Sequence, residues 1–345
     1  VAALRAMPRP PRARCAIIGL GRIGSTLEDD RLREIQASHA GAVRASPDCV
    51  LAAGCDLEAG RRAAFTRRWG RVRVYGDAGE MLARETPDIL HIATPAESHL
   101  ELVRLAAARR VPVVVCEKPL ALNAGDAREA VRECRRAGSA LLVNHERRYS
   151  RDYRQARLRV EEGRYGELLS LSARLYMGRG RPAGDILWSD GTHLLDAIRF
   201  LTGGEIQVLQ VAGQLLEGPG VFQALCRAGR VPVSLEVSGG CDALVFELDL
   251  AFARGRLRIG NGLYEEWGSE PSPWYEGFRS LRQRRVRRFR RTGYFTGLVA
   301  DAVAVLRSPG RVPLSSGEDG LAAVEAVEAL RAAARLTTLP GRPCL

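Results

Sequence analysis

The chain has 345 residues, 46% hydrophobic and 27% charged, which excludes a disordered protein and predicts two domains with cores of their own. The net charge is +12, but eight arginines between Arg279 and Arg291 have no acid among them, so the other residues carry only +4. With no nucleic-acid motif beside it, that local charge reads as a solvated loop or an oligomer contact, and no nucleic-acid partner is expected.

No run reaches the roughly 20 apolar residues of a membrane span, and the Arg- and Pro-rich start from Val1 to Arg14 lacks a signal-type apolar stretch. A soluble, cytoplasmic protein is expected. The eight cysteines are scattered without a C-x-x-C, which favours buried free thiols, and His39 and His91 have no metal-ligand spacing, so no metal is expected. One lysine, Lys118, stands against 51 arginines. A coding bias that replaces lysine elsewhere leaves a chemical reason for this one, since an ammonium is a compact charge that can exchange a proton.

From Arg14 to Asn144, β-type runs at Cys15–Ile18, Val50–Cys55, Val72–Tyr75, Ile89–Ala93, Val111–Cys116 and Ala140–Val143 alternate with helical candidates. These helices are expected near Arg22–Ser46, Glu58–Trp69, Glu97–Arg109 and Asn123–Gly138, and the alternation predicts an α/β, doubly wound parallel sheet. Gly19-Leu20-Gly21-Arg22-Ile23-Gly24 follows the first strand and is expected to open a helix. In that setting G-x-G-x-x-G is a dinucleotide fingerprint: a tight turn, a close approach of pyrophosphate to backbone, and close helix packing.

Asp56, ending the second strand, is the candidate for the adenosine ribose hydroxyls and favours NAD over NADP, because a carboxylate repels a 2′-phosphate. It lies 32 residues past Gly24, so the first crossover is long, with Ser38–Ser46 as the apparent insertion. A helix N-cap is the structural alternative for Asp56, and Arg61 and Arg62 beyond it remain able to serve a phosphate. Thr94, Pro95 and His99 follow the fourth strand and Glu117, Lys118 and Pro119 the fifth, at the carboxyl edge where such sheets collect ligands.

Past Tyr149 come a helix at Tyr153–Glu161, a strand at Leu168–Tyr176, a helix at Thr192–Leu201, and β-type runs Ile206–Leu216, Val221–Cys226, Val233–Val237 and Leu244–Phe252. They predict an open, largely antiparallel sheet, closed by helices at Phe295–Leu306 and Gly320–Leu336. The expected domains are 12–149, binding NAD(P), and 150–345, for substrate and oligomerisation, with the terminal helices as candidates to pack back on the first.

The fingerprint, Thr94-Pro95-x-x-x-His99, Glu117-Lys118-Pro119, Asn144-His145-Glu146-Arg147-Arg148-Tyr149 and Asp190-Gly191-Thr192-His193 together resemble, in order and spacing, the Gfo/Idh/MocA oxidoreductase family. The resemblance implies a Rossmann domain, an α/β domain whose open sheet often forms an oligomer interface, and hydride transfer between NAD(P) and a secondary alcohol or ketone of a sugar, cyclitol or sugar nucleotide. It implies Gly19, Gly21, Arg22, Ile23, Gly24, Asp56, Thr94, Pro95, His99, Glu117 and Lys118 around the cofactor. It implies Lys118 and His193 as the catalytic pair in contact with the substrate, a cis bond before Pro119, and a homodimer or homotetramer; Arg148, after the sixth strand, and Asp190 are further candidates for substrate contact.

The family pattern Asp-x-Gly-x-His is broken: Ser189 holds the aspartate's place and the acid comes one residue later, at Asp190. Asp190 is thus open to two readings, a substrate contact or a cap of the helix starting near Thr192, and Arg148 to two, a cleft residue or an ion-pair partner. His145 is placed to line the same cleft or to be structural. Two further readings remain: a dinucleotide-binding regulatory or scaffold protein without chemistry, and a redox-neutral NAD-dependent glycosidase or epimerase.

Overall fold

The computed structural model describes residues 10–215, 218–286 and 291–337. Contacts group the described residues into two units, one within 10–116, 133–142 and 295–313, the other within 117–132, 143–294 and 314–337.

The first unit is built on β1 (Ala13–Ile18), α1 (His39–Ala45), β2 (Cys49–Cys55), α2 (Ala59–Trp69), β3 (Arg73–Tyr75), α3 (Ala78–Glu85), β4 (Ile89–Ile92), α4 (His99–Ala108) and β5 (Val113–Cys116). With α5 (Ala124–Ala137) and β6 (Ala140–Val143), the strands form a parallel sheet in the order β3-β2-β1-β4-β5-β6. That is the doubly wound order, and every residue of β4 and β5 is buried, as strands covered on both faces require.

One expectation fails here. The fingerprint opens a turn and a single 3-10 turn at Thr26–Asp29, and the helix of this crossover is only α1. The Glu28 carboxylate accepts from the backbone N–H of Ala37 at 3.0 Å and of Ser38 at 2.9 Å and from the Ser38 hydroxyl at 2.8 Å. These bonds tie an irregular excursion, so the insertion precedes the helix instead of occupying Ser38–Ser46.

The second unit carries α6 (Arg151–Glu161), β7 (Leu168–Met177), α7 (Ala183–Ile186), a π-helical turn at Leu187–Gly191, α8 (Thr192–Thr202), β8 (Ile206–Gly213), β9 (Val221–Ala228) and β10 (Val231–Ser238). There follow β11 (Leu244–Phe252), β12 (Gly255–Gly260), β13 (Leu263–Pro271) and β14 (Arg279–Gln283), then α9 (Tyr294–Arg307), most of which groups with the first unit, and α10 (Gly317–Thr337). Its eight strands run β14-β13-β12-β11-β7-β10-β9-β8, antiparallel except where β7 pairs with β10. Strand β9 alternates exposed and buried residues along its length, so one face of the sheet is core and the other open. Leu194, Leu195 and Ile198 of α8 and Val327 and Leu330 of α10 belong to the core on the buried face. Leu216 and residues 287–290 of the arginine run lie outside the described residues, as does Cys344; of the other seven cysteines, all are free and six are buried.

Candidate functional site

In the first unit, a cavity of about 1360 Å³ opens at the carboxyl ends of β1, β2 and β4 and is lined by the glycine turn, Asp56, Arg61, Thr94 and Pro95. The three glycines do different things. Gly19 has φ +91°, and a Cβ there would lie 2.5 Å from the Ala93 carbonyl oxygen, so only glycine fits. A Cβ on Gly24 would come within 2.0 Å of the Gly19 carbonyl oxygen, which makes Gly24 a packing residue; it is not on the cavity wall. Gly21 faces free space, its nearest neighbour being Arg61, 3.6 Å from a Cβ built there. Arg22 and Ile23 also line the cavity.

Asp56 is buried, and its carboxylate accepts from the Leu20 N–H at 2.9 Å and the Glu58 N–H at 2.9 Å, with Arg61 3.7 Å away. It therefore locks the glycine turn onto the end of β2, and it does not cap α2, whose N-cap is Glu58. A carboxylate offers about four acceptor sites, so these two bonds leave Asp56, which lines the cavity, with acceptor capacity to spare. His99, expected around the cofactor, does not line this cavity. Its ring is fully buried and bonds the Thr94 carbonyl at 2.8 Å, so it shapes the loop that carries Thr94 and stands off the cavity wall.

The second cluster lies within the second unit. The Lys118–Pro119 bond is cis, and Lys118 Nζ donates to the Ser189 carbonyl at 2.6 Å and stands 3.8 Å from Asp190 Oδ1. The Glu117 carboxylate accepts from Asn144 Nδ2 at 2.6 Å and from the Lys118 N–H at 3.3 Å, so it fixes the turn that carries Lys118.

Asp190 is not a helix cap. Residues 183–202 form one continuous helical run through the π turn, and Gly191, ahead of α8, already has helical angles. The wider turn brings the Asp190 carboxylate beside Lys118, while its other oxygen accepts from Ser189 Oγ at 2.8 Å and lies 3.5 Å from Arg181. Arg181, which also donates to Ser189 Oγ at 2.8 Å, has no counterpart in the sequence reading, because nothing in its Gly- and Arg-rich surroundings marks it.

Arg148 takes the ion-pair alternative that its sequence left open. Its guanidinium donates to both Asp196 oxygens at 2.8–3.0 Å, to Asp319 at 2.8 Å and to the Leu314 carbonyl at 2.9 Å, with 7% of its side chain exposed. Four of its five N–H donors are thus spent on structure. Burial raises the Asp319 carboxyl, but Arg148, the Ser316 N–H and Arg199 outweigh it and hold the group below its ordinary value.

His193, on the first turn of α8, has Nδ1 buried without a partner, and its ring meets His145 edge to face at 5.9 Å between centroids. Burial, then the charges of Lys118, His145 and Arg147, lowers the His193 pKa well below that of a free imidazole. The ring is therefore neutral at pH 7 and able to accept a proton.

The family description that matches residues 13–145 is an oxidoreductase family with an NAD-binding Rossmann fold. Among curated proteins, the chain is similar to a myo-inositol 2-dehydrogenase of Thermotoga maritima (27% identical over 230 residues, covering 65% of this chain and 64% of that one). It is also similar to a D-apiose dehydrogenase of Paraburkholderia graminis (33% over 177 residues, 48% and 46%) and a D-glucoside 3-dehydrogenase of Escherichia coli (28% over 201 residues, 55% and 54%). The match thus spans between about half and two thirds of the length of these relatives. Among solved structures, an oxidoreductase of Agrobacterium radiobacter in complex with NAD+, L-tartaric acid and magnesium superposes with a TM-score of 0.75 at 22% identity, over 94% of this chain and 96% of that one. A putative NADPH-dependent oxidoreductase of Desulfitobacterium hafniense gives 0.79 at 18% identity, over 95% and 97%, and both likenesses speak for the fold.

Proposed function

We propose that the chain is a member of the Gfo/Idh/MocA oxidoreductase family, whose model matches residues 13–145, and an NAD-dependent dehydrogenase acting on a secondary alcohol, or the corresponding ketone, of a sugar- or cyclitol-like substrate. The observation that carries the reading is the grouping in one unit of Lys118 Nζ, on the turn two residues past β5, with the Asp190 carboxylate of the π turn at 3.8 Å and the His193 ring of α8, on which the Lys118 charge bears.

The cavity of the first unit fits a dinucleotide. Gly21 leaves room for a pyrophosphate against backbone, with Arg61 beside it, and the Asp56 carboxylate accepts ribose hydroxyls while repelling a 2′-phosphate. NAD, when bound, supplies the hydride acceptor. Lys118 has three N–H donors: one is used on Ser189, one points toward Asp190, and the third is available to the substrate oxygen. A fixed ammonium there stabilises the alkoxide as the carbinol proton leaves. Neutral His193 takes that proton. Asp190 balances the ammonium's charge and is in reach of a neighbouring substrate hydroxyl.

Lys118→Met is expected to lower kcat by at least about 100-fold on a cyclitol and sugar panel while NADH still binds. Unchanged turnover would refute the assignment. Titration with both dinucleotides tests Asp56, since tighter binding of NADPH than NADH contradicts its proposed role. The open face of the second sheet exposes Leu209, Val221 and Leu225, which supports a homo-oligomer countable by native mass spectrometry.

A further inference from the structure

Nine buried side-chain polar atoms lack a partner among the described residues, and seven of them belong to one neighbourhood. They are both ring nitrogens of His145, Nδ1 of His193, Asn144 Oδ1, Arg147 Nε, Thr192 Oγ1 and Ser315 Oγ. Buried polar atoms are costly to leave unpaired, so such a concentration marks a place built for something other than stability. It surrounds the proposed base. His193 has only Nδ1 shut away from both solvent and partners, and no carboxylate backs that nitrogen, since Ser189 stands where the family has its aspartate and bonds Asp190 and Arg181 instead.

From this geometry we propose that His145 is the proton relay of His193. When Nε2 of His193 takes the carbinol proton, the ring releases its Nδ1 proton through one water to a ring nitrogen of His145, and remains neutral. The O–H bond of the substrate breaks, an N–H bond forms on each ring, and the N–H of His193 Nδ1 breaks; the hydride goes to the dinucleotide.

The charges facing the pair favour that direction. Lys118 and Arg147 bear on His193 and oppose a lasting imidazolium there. His145 lies under the fields of Asp196 and Asp319, which favour a proton on it, against Arg148 and Lys118, which oppose one. Burial holds the His145 ring neutral at rest and so ready to accept. The edge-to-face packing at 5.9 Å keeps the two rings within one water of each other.

The inference rests on the dehydrogenase reading, and the test separates the two. With five histidines in the chain, ¹⁵N-histidine labelling and long-range ¹H–¹⁵N correlation resolve each ring's tautomer without any substrate. His145→Phe, confirmed folded by thermal melting, is expected to shift the His193 ring-nitrogen signals and titration. It should lower kcat about 10- to 100-fold with KM within about 2-fold, with partial return at high pH, where solvent base replaces the relay. His145→Gln, which keeps a polar side-chain end, should recover part of the loss and stands in if the phenylalanine variant does not fold. Unchanged His193 signals, or a wild-type kcat and pH profile in His145→Phe, overturn the relay. Shifted His193 signals in an enzyme with no turnover on any alcohol leave the His145–His193 coupling standing and overturn the dehydrogenase reading, and the relay with it.

Discussion

Replacing Arg148 with alanine should unfold the second unit more readily without altering how it meets a substrate. The guanidinium sits against Asp196, whose side chain is 1% exposed, and Asp319, which is 19% exposed. Without it, Asp196 keeps only Arg199 at 3.8 Å, while Asp319 keeps Arg199 at 3.1 Å and its bonds from Ser316. Stranding one carboxylate in a buried site costs about 3–5 kcal/mol, and the retained Arg199 contacts place the expected loss in the lower half of that range. At a urea m-value of about 2–3 kcal/mol/M, the midpoint should fall by about 1–2 M. Three of the four tryptophans, Trp188, Trp267 and Trp274, report on this unit, so fluorescence follows it directly. The double variant Arg148→Met with Asp196→Leu should recover most of the loss, because removing both charges leaves neither unpaired. A midpoint shift below about 0.3 M, or a large rise in KM in the folded enzyme, would show that the guanidinium serves the substrate after all.

Two other outcomes follow from the same structure. Gly19→Ala forces a side chain into positive φ and against the Ala93 carbonyl, so the first unit should lose about 2 kcal/mol or more by thermal melting and NADH binding with it. Burial depresses the pKa of His91, which is fully buried with Nδ1 3.0 Å from His39 Nδ1. Below about pH 6.5 the unfolded chain therefore binds a proton that the folded chain refuses, and stability present above that pH is lost as pH falls. The difference in unfolding free energy between wild type and His91→Phe should slope by about 1.4 kcal/mol per pH unit there, and a flat difference would mean that His91 is charged in the fold.

Much of this was legible along the chain. The alternation of apolar runs and amphipathic stretches determined the parallel sheet, because strand and helix periods are local properties of sequence. The glycine spacing marked the turn, since φ +91° beside the Ala93 carbonyl admits no side chain. Lys118 stood out from composition alone.

Other features depended on which atoms meet across long separations. Nothing near Arg148 reveals that Asp196 and Asp319, 48 and 171 residues away, pair with its guanidinium. Likewise, His99 and Glu117 stand in motifs that read as ligands, yet their polar atoms hold neighbouring backbone and side chains. The displaced acid at Asp190 reaches Lys118 only because a π turn widens the helix by a residue, a backbone choice that neither periodicity nor capping rules anticipate. Sequence by itself determined the fold class and the lone ammonium at a strand's end; tertiary structure alone decided which polar groups were already spent and which, like His145, were left unpaired, because hydrogen-bond satisfaction is a property of the packed chain.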